Sequence, residues 1–357
     1  MKIVTVIGAR PQFIKASSLS REIGKRQGID EVIVHTGQHF DKNMSHIFFE
    51  EMKIPEPRYN LNINSLNHGA MTGRMLEEIE SIMLKETPDW LVVYGDTNST
   101  ISGALAAKKL HIKVAHVEAG LRSFDMRMPE EVNRILTDQI SDILFCPTEV
   151  AVKNLEAEGF GGKKVKISLS GDIMFDSALY YRQKMKRPEG IDPNQTPILV
   201  TIHRQENTDD LQRLKNILDA LNGLAKEGEK LIWPIHPRTR KIIEKQGWTI
   251  DFDCIAPVGY LEMLYLLEKC SMVITDSGGL QKEAYFFNKY CLTLRDSTEW
   301  VELVENDVNS LINVTEPQLK ERLRAYLNQK IDNSNYLYGK GQSAAHILDD
   351  LVNYSKE

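Results

Sequence analysis

The stretch Met272-Val-Ile-Thr-Asp-Ser-Gly-Gly-Leu-Gln-Lys-Glu283 joins a short apolar run to a tight turn and a helical pattern starting near Leu280. A turn of this kind aims free backbone N–H groups and the positive end of a helix dipole at one point, and glycine lets an anion come close. Ser277, Gly278 and Gly279 would hold phosphate. Glu283, one helical turn beyond Gly279, would accept hydrogen bonds from ribose hydroxyls. The expected ligand is a nucleoside diphosphate; the alternative is an ordinary glycine-containing turn between strand and helix.

Residues of complementary chemistry follow the other apolar runs. Gly8-Ala-Arg-Pro-Gln-Phe-Ile-Lys15 places Arg10 and Lys15 at a helix start, where the dipole disfavours cations unless an anion is met there. Thr36-Gly-Gln38-His39, Gly95-Asp96-Thr97, Val117-Glu118 and Met128-Pro-Glu130-Glu131 follow in turn. Later come His203-Arg204, His236-Pro-Arg238 and Arg295-Asp-Ser-Thr-Glu299. A lone carboxylate after a strand is usually a helix cap, and a lone histidine there is usually structural. Several together beside a phosphate cradle suit proton transfer next to a diphosphate leaving group. No nucleophile motif, metal-ligand spacing, Walker sequence or three-glycine dinucleotide fingerprint is present, so no cofactor is expected.

These residues must be positioned by parallel strands. Continuous apolar runs predict strands at Lys2–Ile7, Val32–His35, Leu91–Tyr94, Lys113–His116, Ile143–Cys146 and Val165–Ser168. They alternate with helices from Pro11 and at Asp41–Met52, Gly69–Lys85, Asn98–Lys109, Pro129–Ser141 and Val150–Glu158, with a loop at Pro55–Asn67. A helix over Asp172–Lys186 and a Pro-rich linker over Arg187–Pro197 follow. The pattern then restarts with strands at Ile198–Ile202, Lys230–Pro234, Cys254–Ala256, Met272–Thr275 and Cys291–Leu294. The intervening helices are Asp209–Lys226, Arg238–Gln246, Leu261–Lys269 and Leu280–Asn288, with further helices at Pro317–Gln329 and Ser343–Tyr354. The expected fold class is α/β, two doubly wound parallel sheets, divided as residues 1–170 and 171–342. Ligands of such sheets bind beyond the carboxyl ends of the strands, here in the cleft between the two domains.

Composition bounds the function. A chain of 357 residues exceeds one ordinary core. The net charge of −6 gives no broad attraction to nucleic acid or anionic membrane. No apolar run is long enough to span a bilayer, and the N-terminal strand is too short for a signal segment. Four scattered cysteines, Cys146, Cys254, Cys270 and Cys291, suit buried thiols in a reducing cytoplasm.

Taken together, Gly8-Ala-Arg-Pro-Gln-x-Ile-Lys15, Gly95-Asp-Thr97, His116-Val-Glu-Ala-Gly-Leu-Arg122, Pro129-Glu-Glu-x-Asn-Arg134, His203-Arg-x-Glu-Asn207, Thr275-Asp-Ser-Gly-Gly-x-Gln-x-Glu-Ala284 and Arg295-Asp-x-Thr-Glu299 resemble the non-hydrolysing UDP-N-acetylglucosamine 2-epimerase family. Tyr338-Gly-x-Gly-Gln342 resembles its C-terminal signature. The resemblance implies a GT-B-like fold of two Rossmann-type domains, a C-terminal helix (about 343–357) returning to the first, and a dimer. Position by position it implies Asp96, Glu118, Glu130 and His203 as catalytic residues. It implies Arg10, Lys15, Ser277, Gly278, Gly279 and Glu283 as UDP contacts. Gln38, His39, Arg204 and His236 join the substrate-binding candidates from their places after strands. The implied reaction eliminates UDP across C1–C2 to a 2-acetamidoglycal and re-adds it after protonation on the other face. It needs no metal or redox cofactor, and the carboxylate that takes or gives the proton is not assigned.

Some motifs depart from the familiar members. Phe40-Asp-Lys42 follows Gln-His, and Ser123-Phe-Asp-Met-Arg-Met128 replaces an aromatic-rich run. These, with Thr201–Asp209 and Thr298–Glu302, resemble the branch acting on UDP-2,3-diacetamido-2,3-dideoxy-glucuronate in surface polysaccharide synthesis. Arg127 would then grip the C6 carboxylate; the alternative is a surface or loop-packing residue, and a related branch acting on a 6-deoxy sugar also tends to carry Arg there, so Arg127 alone does not decide the substrate. UDP-N-acetylglucosamine is the alternative substrate, and a GT-B glycosyltransferase the alternative class. Some family members bind an activating second UDP-sugar through the Gln-His stretch, and the altered residues after His39 weigh against that here.

Overall fold

Buried aliphatic runs with no polar alternation dictate strands covered on both faces. In the computed structural model, which describes residues 1–38 and 55–354, Ile3, Val4, Val6 and Ile7 have no exposed surface, nor have Leu91, Val92 and Val93. The helix expected over Asp41–Met52 lies outside the described residues, as does His39.

The chain divides into two units, Met1–Ser177 with Tyr336–Glu357, and Ala178–Asn335. The first runs β1 (Lys2–Ile7), α1 (Arg10–Ile23), β2 (Asp30–His35), β3 (Tyr59–Asn60), α2 (His68–Glu86), β4 (Trp90–Tyr94), α3 (Asn98–Lys109), β5 (Lys113–Val117), α4 (Pro129–Ile140), β6 (Ile143–Cys146), α5 (Glu149–Ala157), β7 (Lys166–Leu169) and the first half of α6 (Ile173–Arg182). The second runs β8 (Ile198–Thr201), α7 (Gln205–Thr208), α8 (Leu211–Lys226), β9 (Leu231–Pro234), α9 (Pro237–Lys245), β10 (Asp253–Ile255), α10 (Tyr260–Lys269), β11 (Val273–Thr275), α11 (Gly278–Phe286), β12 (Cys291–Thr293), α12 (Val301–Glu305), β13 (Asn309–Leu311) and α13 (Leu319–Arg324). The closing helix, α14 (Ser343–Tyr354), belongs to the first unit.

Both sheets are parallel throughout. Their orders are β3-β2-β1-β4-β5-β6-β7 and β10-β9-β8-β11-β12-β13. Each begins at an inner strand, winds outward on one side, then returns to wind outward on the other. The order reverses at β1/β4 in the first unit and at β8/β11 in the second. In open α/β sheets the crevice beyond the carboxyl ends at such a point is where ligands bind.

The closing helix is held to the first unit by polar contacts. Asp176 accepts hydrogen bonds from the N–H groups of Ser343 (3.1 Å) and Ala344 (2.9 Å), capping α14. Asp350 takes Lys166 at 2.7 Å and the Ser168 hydroxyl at 2.6 Å, and Asp349 pairs with Arg26 at 2.7 Å.

Sequence and structure differ where elements are short or capped. The helix expected from Asp209 begins at Leu211, because the Asp210 side chain accepts from the Gln212 and Arg213 N–H groups and caps α8, and the four-residue α7 before it lies outside the expected range. The loop over Pro55–Asn67 contains the two-residue edge strand β3, too short to show periodicity. For the same reason α12 and β13 have no sequence signal. The helix expected to run to Lys186 ends at Arg182, and the one expected from Leu280 begins at Gly278.

Gly120 has φ +76°, and a Cβ there would collide with the Ala151 carbonyl oxygen on α5. Gly120→Ala is expected to cost about 2–4 kcal/mol through left-handed strain plus overpacking, read as a fall in the urea midpoint at unchanged slope. A loss under about 0.5 kcal/mol, the range of neutral surface changes, would show that the α5 contact yields freely.

Candidate active site

The first reversal point is stitched by one buried side chain. Gln12, on α1, accepts at Oε1 from the N–H groups of Gly8 (2.8 Å) and Ala9 (3.0 Å). Its Nε2 donates to the Tyr94 carbonyl (2.8 Å) and to the Thr97 and Thr100 hydroxyls (3.0 Å each). The ends of β1 and β4 are thereby joined through an amide that donates and accepts at once, Gln12 reaching a carbonyl 82 residues further along the chain. Gly8 leaves no room for a side chain, since a Cβ would strike the Thr36 and Ser99 hydroxyls. Gln38 closes over the same place, its Oε1 accepting from Ser99 N–H (3.1 Å) and Oγ (2.8 Å). Arg10 opens α1 at the mouth of this turn.

Asp96 and Glu118 stand here as members of ion pairs. Lys15, nearly buried, pairs with Glu118, and its Nζ lies 3.4 Å from where a Cβ on Gly95 would be. Glu118 follows β5 in a left-handed conformation, φ 71°, rare for a residue with a side chain. Such strain persists only where surroundings over-determine it. Asp96 pairs with Arg134, which also donates to Glu131 at 2.9 Å. Burial opposes the Arg134 charge, but Asp96, Glu131 and Glu118 outweigh it and hold the guanidinium above its usual range. That one guanidinium feels both Asp96 and Glu118 places the two carboxylates in a single electrostatic neighbourhood.

Of the paired Glu130 and Glu131, the structure gives them opposite roles. Glu131 is buried and accepts from the N–H groups of Ser123 and Phe124, 2.9 Å each, tying down the turn that precedes α4. Glu130 projects to solvent in the first turn of α4, where the dipole favours a carboxylate. Arg127, 90% exposed, forms a two-pronged pair with Asp125 through Nε and Nη2, 2.8 Å each. The Arg127 guanidinium holds the Asp125 carboxyl down at about 2.

The second reversal point has its own stitch. Asp276, wholly buried after β11, accepts from the N–H groups of His203 (3.1 Å to each oxygen) and Arg204 (3.0 Å), and from Asn207 Nδ2 (3.2 Å). His203 therefore leaves β8 with its backbone fixed and its ring 51% exposed, Nδ1 3.5 Å from Asp276. Ser277 caps α11 without a side-chain bond of its own, its N–H donating to Thr275 Oγ1 at 2.9 Å. Gly278 and Gly279 form the first turn of α11 with ordinary helical backbone, so conformational freedom does not explain them. A Cβ on Gly278 would lie 2.5 Å from Glu299 Oε1 and 3.4 Å from Arg204 Nη2, whereas one on Gly279 would meet nothing within 4 Å. Gly278 thus admits the charged side chains, and Gly279 leaves the helix start open.

Glu299 is half-buried, and Arg295 (3.0 Å) and Arg204 hold its carboxyl below the usual range against that desolvation. Trp300 Nε1 donates to the Gly278 carbonyl at 3.0 Å, and Lys282 lies over the Trp300 ring. Glu283 lies one turn into α11 and is buried. His236 caps α9, its Nδ1 accepting from Arg238 N–H at 3.2 Å.

Gln12, Asn133, Arg134, Asp276 and Glu299 escaped the reading of single residues. Arg134 lies four positions after Glu130, one turn further along the same helix face, and that spacing could have found it. Asp276 directly follows a strand, as Asp96 nearly does. Gln12 carries no comparable signal. No group of three or more His, Cys, Asp or Glu able to hold a metal occurs among the described residues. Burial pushes the thiols of Cys254, Cys270 and Cys291 up to about 11, 12 and 12, so they are not nucleophiles at neutral pH. No helix among the described residues is long and apolar enough to cross a membrane.

Two doubly wound parallel units, each with charged residues gathered at its reversal point, define a GT-B-like α/β enzyme. The model of the UDP-N-acetylglucosamine 2-epimerase family matches residues 21–352. The UDP-2,3-diacetamido-2,3-dideoxy-D-glucuronate 2-epimerase of Pseudomonas aeruginosa is 55% identical over 352 residues, covering 99% of both chains. The crystal structure of the Methanocaldococcus jannaschii UDP-GlcNAc 2-epimerase with UDP-GlcNAc and UDP matches with a TM-score of 0.87 at 43% identity, covering 99% of this chain and all of that one. The Neisseria meningitidis enzyme bound to UDP-GlcNAc also gives 0.87, at 30% identity, with the same coverage. The chain belongs to the UDP-N-acetylglucosamine 2-epimerase family, whose members are non-hydrolysing isomerases.

Asp276→Asn keeps the size of the stitch but replaces one acceptor oxygen with a donor facing N–H groups. It should cost about 1–3 kcal/mol, the penalty of buried donors left unmatched, measured by urea unfolding. An unchanged midpoint would mean that the β8 and β11 ends hold together without it.

Proposed function

We propose that this protein inverts C2 of UDP-2,3-diacetamido-2,3-dideoxy-glucuronate to give the manno isomer. The observation that carries this reading is the 55% identity, over nearly the whole of both chains, with the Pseudomonas aeruginosa enzyme of that name, against 44% with the Methanocaldococcus jannaschii UDP-N-acetylglucosamine 2-epimerase. Arg127 supports it, because its guanidinium already makes a two-pronged contact with the carboxylate of Asp125. A C6 carboxylate would take over that contact. UDP-N-acetylglucosamine is the second reading, favoured by the relatives solved with that ligand.

The C2 hydrogen of an acetamido sugar has no adjacent carbonyl to acidify it, so elimination is the accessible route. A carboxylate removes the C2 proton, the C1–O bond to UDP breaks, and C1=C2 forms. The glycal is protonated at C2 on the opposite face while UDP oxygen re-forms the bond to C1. In this reading Asp96, Glu118, Glu130 and His203 supply and take protons. Arg134 pairs with Asp96 and Lys15 with Glu118, which orients the two carboxylates. Arg10, Lys15, Arg204, Ser277, Gly278 and Gly279 hold the diphosphate through elimination and return, Glu283 holds the ribose, and Gln38, His39 and His236 complete the contacts to substrate. The protein would work as a homodimer in the cytoplasm, on a step of surface polysaccharide synthesis.

In D₂O with UDP-sugar and no acceptor, the enzyme should place deuterium at C2 of the diacetamido-glucuronate faster than at C2 of UDP-N-acetylglucosamine. The reverse order would move the substrate to UDP-N-acetylglucosamine, and no incorporation into either would remove the epimerase reading. Asp96→Asn and His203→Ala should each lower turnover by at least about 100-fold, the scale of one general acid or base. Near-normal rates in either would remove that residue from the chemistry.

Arg127→Ala should raise KM about 10-fold or more for the glucuronate, on the order of one charge-assisted contact, and leave UDP-N-acetylglucosamine unaffected. Equal effects on both sugars would exclude the carboxylate contact. Gly279→Asp, which puts a negative group at the open helix start, should weaken UDP binding in calorimetry; unchanged affinity would argue against the cradle.

A further inference from the structure

Three consecutive peptide carbonyls lead into the Asp96 side chain, and each accepts a hydrogen bond from a different side chain on a different element. Tyr94 O takes Gln12 Nε2 of α1 at 2.8 Å. Gly95 O takes His116 Nε2 of β5 at 2.7 Å. Asp96 O takes Asn133 Nδ2 of α4 at 2.9 Å. The three donors come from α1, β5 and α4, so the main chain that carries Asp96 is held from three sides.

We propose that Gln12, His116 and Asn133 form a clamp that sets the position of the Asp96 carboxylate, with His116 its central member. They are positioning residues: each acts on the backbone that carries Asp96.

His116 has no exposed surface, and both ring nitrogens face acceptors, Gly95 O on one side and Asp138 Oδ1 at 2.7 Å on the other. Nε2 must donate, since a carbonyl oxygen can only accept, and Nδ1 and Asp138 share one hydrogen bond. Asp138 is fixed in turn by Arg122 Nη1 at 2.8 Å and by Gly120 N–H at 3.2 Å. Arg122 is held by Glu158 through Nε (2.6 Å) and Nη2 (2.8 Å). A chain of hydrogen bonds thus runs inward from Glu158, at the end of α5, through Arg122 and Asp138 of α4 to one carbonyl oxygen, and so fixes the ring in a single orientation. The carbonyl belongs to Gly95, whose φ of +62° already bends the chain sharply at this point. Asn133 also donates to Asn98 Oδ1 at 3.3 Å, and Arg134, its neighbour on α4, grips the Asp96 carboxylate itself. One helix therefore holds both the main chain and the side chain of Asp96. The geometry matters because a displacement near 1 Å in a catalytic group costs on the order of 100-fold in rate.

The inference rests on the epimerase reading with Asp96 in the chemistry, and the test separates the two. Deuterium incorporation at C2 is first measured for the unaltered enzyme, and the Asp96→Asn variant fixes the floor. Two substitutions at His116 then divide its contacts. His116→Gln carries an amide near the Nε2 position and keeps a donor for Gly95 O while losing Asp138. His116→Asn carries one near Nδ1 and keeps Asp138 while losing Gly95 O.

The clamp predicts that His116→Asn lowers kcat by about 30-fold or more and His116→Gln by less than about 5-fold, on the scale of a small displacement of a catalytic group. KM and UDP affinity in calorimetry should stay within about 2-fold in both, because phosphate binding does not pass through this contact. Equal kcat losses, or a larger loss for His116→Gln, would assign His116 to its bond with Asp138 alone and overturn its place in the clamp. Asn133→Ala provides the same reading at a half-buried helical position that tolerates alanine, should a His116 variant not fold. It should lower kcat with KM and melting temperature unchanged; an unchanged kcat would overturn the clamp. Inactivity of the unaltered enzyme on both sugars would instead remove the epimerase reading.

Discussion

A parallel sheet runs out of ladder partners at the carboxyl ends of its strands, and at a reversal point the flanking loops diverge. Buried N–H and C=O groups there must find other partners. In both units one side chain supplies them. Gln12 bridges the ends of β1 and β4, and Asp276 bridges the ends of β8 and β11. The choice of residue follows the demand. Gln12 faces two N–H groups, a carbonyl and two hydroxyls, so it must donate as well as accept. Asp276 faces only donors, and a carboxylate accepts from all of them.

These bridges bring charge to the reversal points at tolerable cost. Placing carboxylates in partly buried positions is unfavourable unless each is paired. Glu118 has Lys15, Asp96 has Arg134, and Glu299 has Arg295 with Arg204. The pairs orient the acids. They also mean that removing one partner leaves an uncompensated charge, so loss of Arg134 should be felt at Asp96 rather than only in stability. Glu131 shows the contrast: an adjacent carboxylate of identical type is spent on two backbone N–H groups and leaves Glu130 facing water.

The glycines that open α11 are explained by space and not by backbone freedom. A tight turn suggests backbone conformations open only to glycine. Gly278 and Gly279 instead sit in ordinary helix, and what counts is the absent Cβ: at Gly278 it makes way for Glu299 and Arg204, and at Gly279 it leaves open space. Gly95, by contrast, does use positive φ, in the turn that delivers Asp96.

Sequence alone determined what is local. Unbroken apolar runs such as Lys2–Ile7 and Trp90–Tyr94 encode strands buried on both faces, and the restart after the Pro-rich linker encodes two such sheets. The polar residues that follow the strands mark the ligand-binding ends, because strand direction and alternation with helices leave those residues nowhere else to be. Most of the family motifs, spread from Gly8 to Glu299, are legible for the same reason, being strand-end turns, while Pro129–Arg134 is the start of α4. Tertiary structure decided what depends on residues far apart in the chain. That Gln12 meets Tyr94, that His116 meets Gly95, that Arg134 rather than water faces Asp96, and that Glu131 and not Glu130 is buried are matters of which donor reaches which acceptor. A hydrogen bond is decided within a few tenths of an ångström, and only the packed sheets fix positions that closely.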